Sequence, residues 1–255
     1  MEPRRDRIYA LPQNQVGEFT FDESVVEVFP DMIARSVPGY ASILSMIEQL
    51  AGRFVRSGTN VYDLGCSLGA ATLLIRGQAP VDCVIHAVDN SAAMVNRLRA
   101  ELSKEAHEPT QANPLCSVVV HEADIRAFAM NSASFVVLNL TLQFIPPAER
   151  TTLLQSVFNA LQPGGALLLS EKIKFEEPEV DALLSDLHHD FKRAHGYSDL
   201  EIAQKRTAIE NRLVPETLTC HVKRLQDVGF SLVAPWFQCF NFASILAVKS
   251  DGSDA

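Results

Sequence analysis

Four hydrogen-bond acceptors, Asp63, Asp89, Asp124 and Asn139, each stand at the end of a short apolar run. Between the first two lies a glycine turn, Gly65-Cys66-Ser67-Leu68-Gly69, within VYDLGCSLGAAT. A strand that enters a helix through such a turn leaves the first helical N–H groups unpaired, which suits an anionic ligand group. Gly65 lets the backbone reverse where a Cβ would clash. Asp63 adds an acceptor for a hydroxyl or a cation. Asp89 lies 24 residues beyond Gly65, near the spacing at which a carboxylate ending the second strand accepts both ribose hydroxyls, so an unphosphorylated ribose is expected. Asp124 and Ile125 can frame an adenine, the acid accepting from its amino group and Ile125 covering a ring face. Taken singly, each acceptor is as well explained as a cap or turn residue. Four at matching strand ends are harder to assign to chance.

The elements that must place them follow from periodicity. Strands are expected at Val61–Leu64, CVIHAVDN, CSVVVHEADI, SFVVLNLTLQF and ALLLSEK, with a helix from Ser91 to about Ser103 and another over PAERTTLLQSVFNAL, closed by Pro163-Gly164-Gly165. SLVAPWFQCFNFASILAVK adds two strands, the last antiparallel, after the helix LTCHVKRLQDVGF. The alternation predicts an α/β fold: a doubly wound, mostly parallel seven-stranded sheet of Rossmann-like form, with N-terminal helices and a helical insertion.

A single domain is expected, divided into an arm and helices over 1–57, a ligand-binding core over 58–172, an insertion over 173–213 and a terminal helix and strands over 214–249. Residues 1 to about 20 read as an arm that orders only against a partner. FDESVVEVFPDMI is helical with a break or kink at Pro30. Tyr40, Ile43, Leu44, Ile47, Leu50 and Phe54 form one helical stripe, with Tyr40 at its mouth. EAHEPTQANPL reads as a loop and the SDGSDA tail as disordered.

In the insertion, Val180, Leu183, Leu184, Leu187, Phe191 and Ala194 share a stripe, Gly196 ends it, and Ser198 with Glu201 makes a capping box. Arg206 then falls on the stripe Ile202, Ile209, Leu213. A guanidinium there needs an acceptor, either a carboxylate held across an interface or Glu210 at i+4.

Composition narrows the function classes. The chain of 255 residues is 47% hydrophobic with a formal net charge of -9. Such a surface disfavours direct nucleic-acid binding and favours a small-molecule ligand. Cys66, Cys83, Cys116, Cys220 and Cys239 include no CxxC pair, which fits a reducing cytoplasm. No secretory h-region and no run of roughly 18 apolar residues is present, so a cytoplasmic protein without a membrane span is expected.

Three chemistries compete for the turn. A Ser67 nucleophile elbow requires strands and an oxyanion loop before it, whereas an arm and helices precede residue 61. A dinucleotide would be crowded by the Ser67 side chain at the place where a pyrophosphate must approach. S-adenosyl-L-methionine carries no phosphate; its carboxylate suits the turn and its ammonium suits Asp63. His188, His189, Asp190 and His195 read as a solvated helix face and not a metal site, and no metal is expected. Cys66 reads as a packed side chain. Trp236, Phe237, Phe240 and Phe242 are expected in the core or a subunit contact.

These residues resemble the class I S-adenosyl-L-methionine-dependent methyltransferases and, closely, the bacterial carboxy-S-adenosyl-L-methionine synthases. The resemblance rests on FDESVVEVFPDMIARSVPGY, VYDLGCSLGAAT, VVLNLTLQF, HHDFKRAHGYSDLEIAQKR and WFQCFNF. It implies that Tyr40, Gly65, Cys66, Ser67, Asp89, Asn90, Asp124, Ile125 and Asn139 contact S-adenosyl-L-methionine or its carboxylated form. It further implies that Arg206 reaches in from the neighbouring subunit of a homodimer to hold the new carboxylate. Prephenate would be the carboxyl donor, and a separate enzyme would pass the product's carboxymethyl group to a tRNA wobble uridine. An ordinary methyltransferase acting on a small acceptor and a non-catalytic S-adenosyl-L-methionine-binding subunit are the alternatives. Asn139-Leu140-Thr141-Leu142 departs from the Asn-Pro-Pro-Tyr of amino-methylating nucleic-acid enzymes.

Overall fold

Short apolar runs build the sheet of the computed structural model, which describes residues 4–105, 114–209 and 212–252. Strands β1 (Asn60–Leu64), β2 (Val84–Asp89), β3 (Ser117–Glu122), β4 (Ala133–Asn139) and β5 (Leu161–Lys174) run parallel. β6 (Glu216–Thr217) pairs β5 off the main path, and β8 (Phe242–Val248) runs antiparallel between β5 and β7 (Leu232–Cys239). The order β3-β2-β1-β4-β5-β8-β7 is the expected seven-stranded, mostly parallel path; the two-residue β6 is the addition. Chain order reverses between β1 and β4, so their carboxyl ends open the crevice where such sheets bind ligands.

β1 and β4 are buried almost throughout because helices cover both faces. α2 (Tyr40–Phe54) and α3 (Ala70–Gln78) pack Ile43, Ile47, Ala51 and Ile75 against Phe135 and Val137. α5 (Pro147–Ala160) and α8 (Leu218–Val228) pack Leu154, Val157 and Leu225 against Val136 and Leu138 on the opposite face. α4 (Ala92–Glu105) places Leu98 against Cys66 and Ala87. The fifth strand starts earlier than expected, and Pro163-Gly164-Gly165 lies inside it, where its register with β4 shifts between Ala133 and Phe135.

The break expected at Pro30 and the arm expected to order only against a partner are corrected. α1 (Glu23–Ser36), capped by Asp22, runs through Pro30 without ending there. Val28 and Met32 are buried on either side of the proline, and this packing holds the helix despite the missing N–H. The arm orders on its own chain: Tyr9 and Phe19 are buried, Asp6 accepts from the Tyr197 hydroxyl at 2.6 Å, and the Gln204 amide donates to the Tyr9 and Leu11 carbonyls. Apolar anchors hidden in a polar segment give no periodicity.

The insertion forms α6 (Pro178–Ala194) and α7 (Asp199–Ile209), with the Ser198–Glu201 capping box closed by the Ser198 N–H to Glu201 at 2.7 Å and the Glu201 N–H to Ser198 at 3.3 Å. The α6 stripe is only partly covered, Val180 being 39% and Leu183 58% exposed. Trp236 and Phe237 pack beside the α2 core, while Phe242 is buried against His188. Most of the expected 105–115 loop, Glu210 and the end of the tail lie outside the described residues.

Candidate active site

The β1–α3 turn is held by backbone geometry that only part of its sequence announces. Gly65 has φ +82°, and a Cβ there would stand 2.3 Å from Thr141 Oγ1. Gly69, at φ +81°, is the N-cap of α3, and no side chain caps that helix. Its first N–H groups are therefore open to the cavity that Ala70 and Ala71 line. Ser67 (φ 50°) and Leu140 (φ 62°) adopt the left-handed region without being glycine. The Ser67 N–H donates to Asp89 Oδ2 at 2.8 Å, and the Leu140 N–H to the Ser170 carbonyl at 2.7 Å, which fixes both strained residues at the site.

Asp89 Oδ1 also accepts from the Ser91 N–H at 2.9 Å. The Ser67 and Ser91 N–H groups thus each hold one oxygen, with the Asn90 N–H also turned to the carboxylate, and lone pairs remain for the hydroxyls of a ribose diol. Burial raises its pKa. Asp63 is 1% exposed, accepts from Thr72 Oγ1 at 2.6 Å, and is pushed up to about 6 by burial. A ligand ammonium beside it would restore the anion. Asn139 Oδ1 is buried with no hydrogen-bond partner among the described residues, an acceptor that a ligand amino group would satisfy. These features fit the amino-acid and ribose parts of S-adenosyl-L-methionine.

Ile125 is 6% exposed and offers an apolar wall to the same space. Asp124 is more engaged than expected: Arg126 binds both of its oxygens and holds its pKa low, and the Arg126 N–H also donates to it. Burial raises the Tyr40 hydroxyl and the Cys66 thiol, so both stay protonated, and Cys66 is the packed thiol expected.

All eleven residues singled out in the sequence, Tyr40, Asp63, Gly65, Cys66, Ser67, Asp89, Asn90, Asp124, Ile125, Asn139 and Arg206, line one cavity of about 830 Å³. Its other end is basic. Lys172 from β5, Lys192 from α6 and Lys205 with Arg206 from α7 line it beside His188 and His189. Burial and the charges of Lys205, Lys172 and Arg206 bring Lys192 down to about 7.

His188 corrects the sequence expectation of a solvated face, while Asp190 and His195 are exposed as that expectation has it. His188 is 3% exposed, its Nε2 donates to the Ser36 carbonyl at 2.8 Å, and burial drives its pKa down to about 2, so the ring is neutral. Among the described residues no group of three or more His, Cys, Asp or Glu is placed to hold a metal ion. The three lysines carried no sequence signal, since each sits on a different element and reads as an ordinary solvated charge.

Residues 61–165 match the methyltransferase-domain family. A carboxy-S-adenosyl-L-methionine synthase from Trichlorobacter lovleyi is 53% identical over 251 residues, covering 98% of this chain and 100% of the relative. The synthase of the same name from Escherichia coli is 53% identical over 249 residues, 97% of this chain and 98% of its own. The chain belongs to the carboxy-S-adenosyl-L-methionine synthase family. Among solved structures, an O-methyltransferase family protein from Burkholderia thailandensis superposes with TM-score 0.62 at 18% identity, covering 91% of this chain and 62% of its own. A cyclopropane synthase from Mycobacterium tuberculosis gives TM-score 0.56 at 16% identity, over 76% and 62%. These two share the fold of this synthase-family chain. In this member of the synthase family, Arg206 lines the cavity of its own fold and makes no ion pair among the described residues.

Proposed function

We propose that this chain converts S-adenosyl-L-methionine and prephenate into carboxy-S-adenosyl-L-methionine, phenylpyruvate and water, acting as a carboxyl transferase. The observation that carries the reading is the polarity of one cavity: acceptors Asp63, Asp89 and Asn139 at one end, and at the other Lys172, Lys192 and Arg206, which make no ion pair among the described residues. A methyl transfer to a neutral acceptor needs no such cations. A reaction that creates a carboxylate on the sulfonium-bound methyl does.

The atoms balance without a side-chain base. Prephenate loses CO2 and hydroxide to become phenylpyruvate; the hydroxide takes one proton from the S-methyl group, giving water, and the methyl carbon bonds to the CO2. The protein supplies proximity, exclusion of water and positive charge for the new carboxylate. Asp89 holds the ribose, Asp63 and the α3 N-terminus hold the amino-acid end, Asp124 and Ile125 the adenine, and Arg206 the new carboxylate. Arg206 lines the cavity of its own protomer, and it is this Arg206 that the proposal uses; the homodimer that the family resemblance implies is retained as part of the proposal, without its exchange of Arg206 between subunits.

A separate enzyme would pass the carboxymethyl group to tRNA, which fits the acidic net charge of -9 on a chain that handles only small molecules. All five cysteines are free thiols, and no helix among the described residues is long and apolar enough to cross a membrane; we place the protein in the cytoplasm.

The test is mass spectrometry of the purified protein incubated with S-adenosyl-L-methionine and prephenate. A product heavier than S-adenosyl-L-methionine by one CO2, formed with equimolar phenylpyruvate, supports the reading. Consumption of neither substrate overturns it.

A further inference from the structure

The basic end of the cavity holds more charge than one new carboxylate needs. Lys205 is already engaged: its ammonium lies 3.0 Å from Ser36 Oγ and 3.8 Å from Asp6 Oδ2. Lys172 and Lys192 are not; neither is in an ion pair among the described residues, although both line the cavity and Arg206 lies near enough to act on each. Two amines packed against a guanidinium in one cavity repel one another when protonated, and among the described residues no carboxylate lies in ion-pair range of either, Asp181 acting on Lys172 only from further away. Such an arrangement is costly unless a ligand brings the counter-charge.

A second unsatisfied group lines the same cavity. Asn241 is 2% exposed, lines the cavity, and its Oδ1 has no hydrogen-bond partner among the described residues. It sits in the hairpin that brings Phe242 opposite Lys172 on the neighbouring strand. An orphaned buried acceptor that lines the same cavity as cations without an ion pair among the described residues suits a ligand carrying both an anion and a hydrogen-bond donor.

We propose that Lys172 and Lys192 form an anchoring site for the carboxylate that the donor keeps, distinct from the Arg206 site for the new carboxylate once it is on the product, with Asn241 accepting from the donor's hydroxyl. The inference rests on the synthase reading. It separates the two carboxylates of a dianionic keto acid, the retained one held by the lysines and the transferred one met by Arg206 only on the product. The transferred carboxylate must leave the donor as CO2, so the strong ion pairs belong on the retained one; otherwise the site would stabilise the donor against its own breakdown. The lysines hold the leaving keto acid in place while the CO2 is captured.

Phenylpyruvate, the product that keeps only this carboxylate, isolates the site. Its inhibition constant, taken as the dissociation constant from the S-adenosyl-L-methionine-saturated protein, is measured by calorimetry for the full chain and for Lys172→Met, Lys192→Met, Lys192→Arg and Arg206→Ala. Expected is a loss of phenylpyruvate affinity of about tenfold or more in both methionine variants, with Lys192→Arg close to the parent and Arg206→Ala within about twofold of it. S-adenosyl-L-methionine affinity, measured by calorimetry, stays unchanged in both methionine variants and shows that they are folded. Parent-like inhibition constants in both methionine variants overturn the anchoring site while leaving the synthase reading intact. Failure of the parent to form any carboxylated product from prephenate removes the reading itself, and the anchoring site with it.

Discussion

The Ser67 N–H points at Asp89 Oδ2 across 2.8 Å, so the glycine turn and the ribose-binding carboxylate are one hydrogen-bonded unit. Replacing Asp89 by Ala removes the acceptor for Ser67 and Ser91 together with the ribose contacts. Affinity for S-adenosyl-L-methionine is expected to fall by about a hundredfold, equivalent to two hydrogen bonds to a charged acceptor at about 1.5 kcal/mol each. Titration calorimetry reads this directly; an affinity within threefold of the parent would separate the turn from ribose binding.

Asp63 gives binding a defined pH dependence. Burial raises its pKa from 3.8 to about 6 in the free protein. The unfolded chain releases this proton near the ordinary value, so Asp63's contribution to apo stability is complete below it and is lost as pH rises through about 6. A bound ammonium favours the anion, so binding releases a proton in that window. Affinity for S-adenosyl-L-methionine should rise between about pH 5 and about pH 7, and the rise attributable to Asp63 should vanish in Asp63→Asn.

Lys192 reverses that sign. Its pKa is brought from 10.5 down to about 7 by burial first and then by Lys205, Lys172 and Arg206. The unfolded chain keeps the proton to higher pH, so this group makes the apo protein more stable as pH rises between about 7 and the ordinary lysine value. His188 and His189 face the same space with lowered pKa values and stay neutral there. An arriving carboxylate restores the ammonium, so prephenate binding at about pH 8 takes up protons and weakens as pH increases. Calorimetry in buffers of different ionisation enthalpy measures the uptake, and proton release on binding would contradict it.

Glu171 supports the strained Leu140 segment from behind. It is 2% exposed and accepts from the N–H groups of Leu142 at 2.9 Å and Gln143 at 2.8 Å. Gln143 in turn accepts from the Lys172 N–H at 2.9 Å and donates to the Leu140 carbonyl at 3.1 Å. Glu171→Gln replaces one acceptor oxygen by a donor facing an N–H, and a loss of about 1–3 kcal/mol of stability is expected in urea unfolding. An unchanged midpoint would show that the segment holds itself.

The half of the site that binds S-adenosyl-L-methionine was legible because its residues follow from strand and turn chemistry. Asp63, Asp89, Asp124 and Asn139 each end an apolar run, and the sheet brings such ends together. The capping box at Ser198 was equally readable, since a cap is a local contact. The basic half was not. Lys172, Lys192 and Lys205 come from a strand and two helices, and a lysine on an amphipathic helix looks solvated until packing encloses it. His188 was misread for the same reason. The arm was misread because Tyr9, Phe19 and Asp6 find their partners more than a hundred residues away or on neighbouring helices, contacts that leave no period in the sequence.

Prephenate labelled with carbon-13 at the ring carboxylate tests the chemistry most directly. Incubated with S-adenosyl-L-methionine and the parent protein, it should yield a carboxylated product that carries the label stoichiometrically and phenylpyruvate that carries none. Label recovered only as free CO2 or bicarbonate, with S-adenosyl-L-methionine unchanged, would contradict carboxyl transfer within this cavity.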